Sequence, residues 1–506
     1  VNVLLPVRDD GLLQLAHTCV HIGATFGRVN VENIWYGRQS IRNECELKFH
    51  QYREDIKSII QPYINDRTVS ATVDLWRDDI IQRYYLDFTI FYMTEHWQLK
   101  HGILRCKYFD EQSKSAINIW SEIESIFDEF HLVIGDTPIT TDEGANIKAS
   151  LKNEIRCPCM AHRCSTTLEC AWDKTNQLSF DFRCLTGSVS ELRSFVARSG
   201  GLQAKLPKTV KKDSCTRPWR SYYIVYESVY SSYDSLIKLL EPMFEENKIL
   251  SINQNLLKNI VDLMKRFSGI FDQLEFCNQP TLQNVVPSYY AMVDFVRLNS
   301  HDRPEIKILK EQIQIALESK YWTSIMQIHW IATFLDPSFR DLSFVNDKAY
   351  RLKQIKCIEN GLYSMADDLK LEDVRKDNNT SESSKNERIS GFDDHDPFSN
   401  FRTQKRLTTH DSIQELLAAE LIDYKTISAY AGDQRQQILT FWKHNERRLP
   451  VLSIIAKRIL VIQASSAESE RHFSAGGAIV NEKRGLLSES SVETLIVLRE
   501  AYLNDM

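Results

Sequence analysis

The sequence predicts an α/β fold with a large helical content, and three observations carry that reading. Thr-, Val- and aromatic-rich segments, TVSATVDLW (68–76), YYLDFTIFYM (84–93) and WQLKHGILRCKYF (97–109), have the composition of strands. The next segment, SAINIWSEIESIFDEF (115–130), changes to the 3.6-residue period of an amphipathic helix. Helical patterns then dominate most of the remaining chain.

Taken in order, residues 1–66 read as helical, from the apolar spacing in GLLQLAHTCVHIGATFG (11–27) and LKFHQYREDIKSIIQPYI (47–64). The links between the first three strands are short, so an antiparallel meander follows. HLVIGDTPITTD (131–142) is strand-like again, and EGANIKASL (143–151) opens a helix. Strand, strand, strand, helix, strand, helix is the ribonuclease-H-like arrangement. From about 165 to 440 the pattern is helical, as in YSSYDSLIKLLEPMF (230–244) and NQNLLKNIVDLMKRFSGIFDQL (253–274). One polar stretch, 374–400, has few apolar anchors and reads as a mobile linker. Helices resume with IQELLAAELIDY (413–424), QQILTFWKHNERRL (436–449) and SSVETLIVLREAYL (490–503). The expected organisation is an N-terminal helical DNA-binding or dimerisation region (1–66) and a first part of an α/β core (67–165). An all-α insertion (166–440) follows, then a C-terminal part that completes the core and carries dimerisation helices (441–506).

Composition narrows the function classes. The chain of 506 residues is 43% hydrophobic and 26% charged, ordinary for a globular protein that buries a large core. A net charge of −6 excludes a wholly basic nucleic-acid coat but leaves room for local basic grooves. Eleven cysteines without a paired rhythm point to reduced thiols and an intracellular setting. No run of about 18 apolar residues occurs, so no membrane span is expected. The chain starts at Val1 with no signal-like segment and reads as a fragment; only Cys19 and Cys45 precede residue 66, too few for a zinc finger there.

Two aspartates lie in or at the end of apolar, β-branched segments: Asp74 in ATVDLW and Asp142 in ITTDEGAN. A carboxylate in a central strand is costly unless paired or bound to a metal, and two on adjacent strands could face one ion. Strand-end capping is the plain alternative, above all for Asp142. A third acid comes from QASSAESERHFSAGG (463–477). Ser465 and Glu468 have capping-box spacing, which gives Glu468 a local task and leaves Glu470 to point elsewhere. The small residues Ala464, Ser466, Ala467 and Ser469 would let this helix approach the sheet closely.

Further along, RCPCMAHRC (156–164) gathers Cys157, Cys159, Cys164 and His162. The spacing is CxC, with no second pair at finger distance, which argues against structural zinc. In KLPKTVKKDSCTRPWR (205–220), Lys205, Lys208, Lys211, Lys212, Arg217 and Arg220 surround Asp213 and Trp219. A basic run beside an aromatic suits phosphate contacts and base stacking, although a solvated loop with a core Trp gives the same letters. Trp76, two residues past Asp74, shares its strand face and reads either as a wall of the metal site or as packing, with packing the safer reading. Arg471, His472, Lys483 and Arg484 put positive charge near the Glu470 helix, useful against DNA phosphate.

These pieces resemble the hAT superfamily of DNA transposases: TVDLW, TDEGAN, the CxxH of Cys159–His162, CTRPW (215–219), and ASSAESERHFS followed by EKR (482–484), in the family's order. The resemblance implies a ribonuclease-H-like core interrupted by a helical insertion, with Asp74, Asp142 and Glu470 as the acidic triad. Such a triad can hold two Mg²⁺ ions, or Mn²⁺ as substitute, about 4 Å apart for in-line phosphoryl displacement. It also implies His162 beside the scissile phosphate, and Trp219 stacked on a flipped base while the flanking DNA forms a hairpin. Partners would be the transposon's terminal inverted repeats, target DNA and a second copy of the chain, as a dimer or larger assembly in the nucleus. Two departures stand out. Pro218 separates Arg217 from Trp219, which weakens a role for that arginine, and Gln463 replaces the usual proline, so a looser helix entry is expected. A host-adopted DNA-binding protein without catalysis is the other reading of the same fold.

Overall fold

The computed structural model describes residues 10–28, 37–77, 83–109, 115–206, 208–210, 218–369, 412–428, 437–480 and 487–503. Five strands form one sheet: β1 (Val69–Arg77), β2 (Tyr84–Met93), β3 (Leu99–Phe109), β4 (Ile139–Thr141) and β5 (Arg156–Pro158). Their order is β3-β2-β1-β4-β5. The first three are antiparallel; β4 runs parallel to β1, and β5 parallel to β4. Everything else in the described residues is helix, turn or loop, so the molecule is mostly helical around a small mixed sheet.

The two-residue period of the strands separates the two faces of the sheet. Val69, Ala71 and Val73 lie opposite Tyr92, Ile90 and Phe88, and all are buried. This apolar face packs on helix Arg38–Asn65 through Ile56 and Ile60, and on helix Ala116–Phe130 through Ile119, Ile123 and Phe127. Ser115 caps the second of these helices by accepting the Asn118 amide at 3.3 Å. His131 ends it in the left-handed region at φ 56°. The other face carries Ser70, Thr72 and Asp74 opposite Phe91, Thr89 and Asp87. Five of these six are buried Ser, Thr or Asp groups on β1 and β2 that need polar partners.

The partners come from far along the chain. Ser70 Oγ donates to the carbonyl of Val461 at 2.8 Å, and Thr140 Oγ1 to that of Gln463 at 2.7 Å. Residues 461–466 therefore lie across the polar face, leading into helix Ala467–Ile479. The C-terminal helix Glu489–Leu503 packs against β3 and against helix Arg38–Asn65.

Helices between 160 and 321 share one apolar cluster, joined by Cys159 and Ala464. A second cluster joins helices Gln327–Phe334, Lys348–Ala366, Ile413–Thr426 and Pro450–Leu460 to Phe91 and Leu99 of the sheet and to Trp97 in the β2–β3 turn. Trp97 and Trp442 stack there at 6.2 Å. No described helix is long and apolar enough to cross a membrane.

Two sequence expectations change. The strand expected over 131–142 shrinks to Ile139–Thr141, because His131 and Gly135 turn the chain with positive φ before it reaches the sheet. A three-residue fifth strand, Arg156–Pro158, goes unannounced by the sequence. The polar stretch 374–400 lies outside the described residues.

Candidate active site

The register of β1 and β4 builds the centre of the site. Val73 pairs with Thr141 in parallel, so the next residues, Asp74 and Asp142, leave adjacent strands side by side. Asp74 is buried; its Oδ1 accepts the Leu75 amide at 2.8 Å, and its Oδ2 accepts Ser466 Oγ at 3.3 Å. Ser466 immediately precedes helix Ala467–Ile479, whose first turn carries Glu470. Burial, foremost, pushes the Asp74 carboxyl well above the usual carboxylate range, and the charges of Asp142, Glu470 and then Asp87 push it the same way. The three sequence-predicted acids thus share one electrostatic neighbourhood although they come from separate parts of the chain.

The cations nearby are directed elsewhere. Arg156 donates to the Asp142 carbonyl at 2.7 Å and to Glu143 Oε1 at 2.6 Å. Arg163 reaches Glu143 Oε2 at 2.7 Å, and Lys148 the same oxygen at 2.8 Å. Burial works against the Glu143 carboxylate, but these cations outweigh it and lower its pKa. Asp142 Oδ1 accepts the Gly144 amide at 3.1 Å, an Asx-type turn. Gly144 permits it closely, since a Cβ there would sit 3.2 Å from that oxygen.

The entry to the Glu470 helix is tightly bonded, contrary to the looseness expected from Gln463. Gln463 is buried, and its Oε1 accepts Thr281 Oγ1 at 3.1 Å. The Thr281 hydroxyl oxygen also accepts the Ala464 amide at 2.9 Å. The Met160 amide donates to the Ala464 carbonyl and the Cys159 amide to that of Thr141, both at 2.7 Å. The start of helix Met160–Leu178 is thereby wedged between β4 and the Glu470 helix. The capping box does not form: Ser466 is the N-cap residue, Ser465 Oγ accepts the Ala467 amide at 3.1 Å, and Glu468 turns to other partners. Close approach to the sheet is real. Trp76 is stacked between Tyr85 and Phe473 at 5.5 and 5.6 Å, and a Cβ on Gly476 would lie 3.1 Å from the Trp76 ring. Trp76 is packing, as its strand position suggested.

His162 lies in the first turn of helix Met160–Leu178, half-buried, and its carbonyl accepts Thr166 Oγ1 at 3.0 Å. Its ring makes no hydrogen bond or ion pair with the three acids among the described residues. The nearby cysteines point apart: Cys159 Sγ meets Ser465 and Ser466, while Cys164 Sγ meets Met292. They form no metal cluster among the described residues. Arg471 is engaged by the Glu468 carboxylate and donates to the Glu275 carbonyl at 2.7 Å. Trp219 and Arg220 fall in the first turn of helix Pro218–Ser231, but their side chains lie outside the described residues, as do Lys211, Lys212, Arg217, Lys483 and Arg484.

A second polar cluster, which the sequence reading missed, lies on the buried side of the same helix. His472 Nδ1 is 3.0 Å from Asp87 Oδ1, and Thr89 Oγ1 donates to Asp87 Oδ2 at 2.9 Å. His472 Nε2 faces Glu468 Oε1 at 3.8 Å and Glu500 Oε2 at 3.9 Å. His101 Nε2 lies 3.5 Å from Glu468 Oε1. Burial disfavours the His472 imidazolium, yet Asp87, Glu468 and Glu500 raise its pKa. Burial likewise opposes the Glu468 carboxylate, but His101, Arg471 and His472 bring it down to about 2. The available signal was Asp87 itself, an acid in an aromatic strand, read as YYLDFT.

Three carboxylates from three segments thus share a neighbourhood in which burial, Asp142 and Glu470 all push the Asp74 pKa up. Comparison with known proteins adds sequence relatives. Residues 413–502 match the hAT family C-terminal dimerisation region. The chain is 29% identical over 334 residues to the Transposable element Hobo transposase of Drosophila melanogaster, covering 65% of this chain and 50% of that protein. It is 23% identical over 305 residues to the protein named as an AC transposase of Zea mays, covering 58% and 37%. The zinc finger BED domain-containing protein DAYSLEEPER of Arabidopsis thaliana is 27% identical over 189 residues, covering 36% and 25%. The chain therefore spans half the length of the Hobo protein, and less of the others. The match of its C-terminal region and the similarity to the Hobo and AC proteins support a relationship of this chain to the hAT family.

Proposed function

We propose that this chain is the catalytic part of a cut-and-paste DNA transposase, with Asp74, Asp142 and Glu470 as its acidic triad. The observation that carries the proposal is the convergence of these acids: Asp74 is buried where Asp142 and Glu470 both raise its pKa. The five-strand order and the return of residues 461–466 across the sheet support a ribonuclease-H-like core, and the helices between β5 and that return are read as its insertion.

Within this reading, Asp74, Asp142 and Glu470 would hold Mg²⁺ or Mn²⁺. Two such ions, when bound, would supply Lewis-acid stabilisation for strand cleavage, flanking-DNA hairpin formation and strand transfer. The chain's own groups prepare the acids. Ser466 Oγ and the Leu75 amide fix the two oxygens of Asp74, and the Gly144 amide fixes Asp142. Arg156, Arg163 and Lys148 are tied up by Glu143, which keeps them from neutralising Asp142. His162, at the helix start wedged beside Thr141 and Ala464, is assigned to the phosphate next to the cleaved bond. Trp219 with Lys211, Lys212, Arg217 and Arg220 is assigned to the DNA flank, and Lys483 and Arg484 to phosphate contacts. Residues 413–502 are assigned to self-association, and the nucleus is the site of action.

The test is a cleavage assay on supercoiled plasmid and on transposon-end duplex, with Mg²⁺ or Mn²⁺. Nicking, hairpin formation or joining by the wild type that is abolished in Glu470→Gln and Asp142→Asn supports the proposal. DNA binding without cleavage in either metal supports instead a host-adopted, non-catalytic protein.

A further inference from the structure

We infer that Glu468, His472 and Asp87 are positioning residues for Glu470, setting the rotation of helix Ala467–Ile479 so that Glu470 faces Asp74. The inference rests on the catalytic reading above. Glu468 and Asp87 carry no metal or DNA assignment, and His472, expected to serve against DNA phosphate, is buried in the cluster instead.

The helix has little else to fix its rotation. Its buried stripe is Ala467, Glu468, Ser469, His472, Phe473, Ala475 and Gly476, with Phe473 the one large apolar side chain. Apolar burial is non-directional and scales with area, so Ala, Ser and Gly constrain rotation weakly. Glu470 is half-buried and sits just outside this stripe. Slipping the helix by a single residue turns it about 100° and carries Glu470 away from the sheet.

Glu468 and His472, one turn apart, supply the missing direction. His472 reaches Asp87 on β2 and faces Glu500 on the C-terminal helix. Glu468 meets His101 on β3 and Arg471, which also holds the carbonyl of Glu275 beside helix Gln254–Leu274. The two side chains therefore tie the helix to two strands, to the C-terminal helix and to the helical region, and no other rotation satisfies all of these contacts.

Asp87 has a second effect. It is the direct cross-strand partner of Asp74, and opposed like charges destabilise a sheet. The hydrogen bonds from His472 and Thr89 commit Asp87 to the buried cluster. Asp74 is left to pair with the acids on its other side. One helix thus answers two facing aspartates in opposite ways, with an imidazole ring for Asp87 and a further acid for Asp74.

The test measures Mn²⁺ binding to the DNA-free protein by EPR, with unfolding midpoints and DNA binding alongside. Groups that orient metal ligands from behind typically change affinity by about 10–100-fold. Wild type should bind Mn²⁺ in a manner lost in Glu470→Gln. Glu468→Ala and His472→Ala, assayed well below their melting temperatures, should weaken that binding by about tenfold or more. Glu468→Gln, which keeps an acceptor for Arg471 and His101, should recover most of it. Lower melting temperatures with wild-type Mn²⁺ affinity would reduce the cluster to a structural role and overturn the inference. Absence of Glu470-dependent Mn²⁺ binding in the wild type would overturn it too. If wild type binds Mn²⁺ through Glu470 but cuts no DNA, the catalytic reading fails, and the binding series still decides the positioning role.

Discussion

The two sides of helix Ala467–Ile479 handle buried acid in opposite ways. On the concealed side, burial opposes the Glu468 carboxylate, yet His101, Arg471 and His472 bring its pKa down to about 2. On the other side, Asp74 is pushed up by burial and by further acids, and no cation figures among the causes. Burial is common to both, so the neighbours decide the sign. A carboxylate ringed by the protein's own cations is finished as structure. A buried carboxylate whose neighbours are carboxylates lacks such a charge, which is where the proposed divalent cation would act.

The strongest test of this contrast removes the cation from the concealed side. His472→Leu leaves Asp87, Glu468 and Glu500 buried without the imidazolium between them. Breaking a buried ion pair by deleting one partner costs about 3–5 kcal/mol, to be read from the urea midpoint. An unchanged midpoint would mean that the cluster is not held by charge.

Next in size is an acid satisfied by neither cation nor metal. Glu420 accepts the Val451 and Leu452 amides at 3.1 and 2.8 Å, at the start of helix Pro450–Leu460. Burial raises its pKa from 4.5 to about 7 despite these bonds. The folded state then holds this proton more tightly than the unfolded chain. The group's contribution to stability is full below pH 4.5 and is lost as pH rises through about 7, a change of about 3 kcal/mol. Glu420→Gln should flatten the stability profile across that window. A wild-type profile already flat there would show that backbone amides can offset burial as well as cations do.

Smaller again is the contact that both sides depend on. A Cβ on Gly476 would lie 3.1 Å from the Trp76 ring and 3.2 Å from Ile496. Gly476→Ala should lift the helix and cost about 1–3 kcal/mol, the usual price of overpacking, measured by thermal unfolding. A silent substitution would mean that the helix can move off the sheet freely.

Much of this contrast was legible in the sequence, but on one side only. The alternation in TVSATVDLW separates Val69, Ala71 and Val73 from Ser70, Thr72 and Asp74, and the structure keeps that division. Long strands carry enough period to be read; β4 and β5, three residues each, are defined by pairing with neighbours rather than by their own pattern. Asp74 and Asp142 stood out as acids in strands. Glu468 was misread as a local cap because Ser465 stands three residues before it, whereas its partners His101 and Arg471 come from the sheet and the next turn. His472 was read as positive charge for DNA phosphate, since its actual partner Asp87 lies 385 residues earlier. Gln463 was expected to loosen the helix entry, and the hydroxyls of Thr281 and Thr140 that anchor it belong to unrelated segments. Local spacing announces local bonds, and the fold chose distant ones.

The smallest expected effect has the opposite sign and is the sharpest discriminator. Asp74→Asn keeps the shape of the side chain and an acceptor for the Leu75 amide while removing a buried charge that Asp142, Glu470 and Asp87 all repel. In EDTA at neutral pH the variant should be more stable than wild type, by about 0.5–2 kcal/mol, as for other residues retained for function at the expense of stability. Added Mn²⁺ should then stabilise the wild type and not the variant, because a ligand that binds only the folded state raises its stability by mass action. The order of the two unfolding midpoints should narrow or reverse between the two conditions. A destabilised Asp74→Asn in EDTA would place Asp74 with Glu468, among acids whose partners the protein itself supplies, and the two sides of the helix would no longer differ in kind.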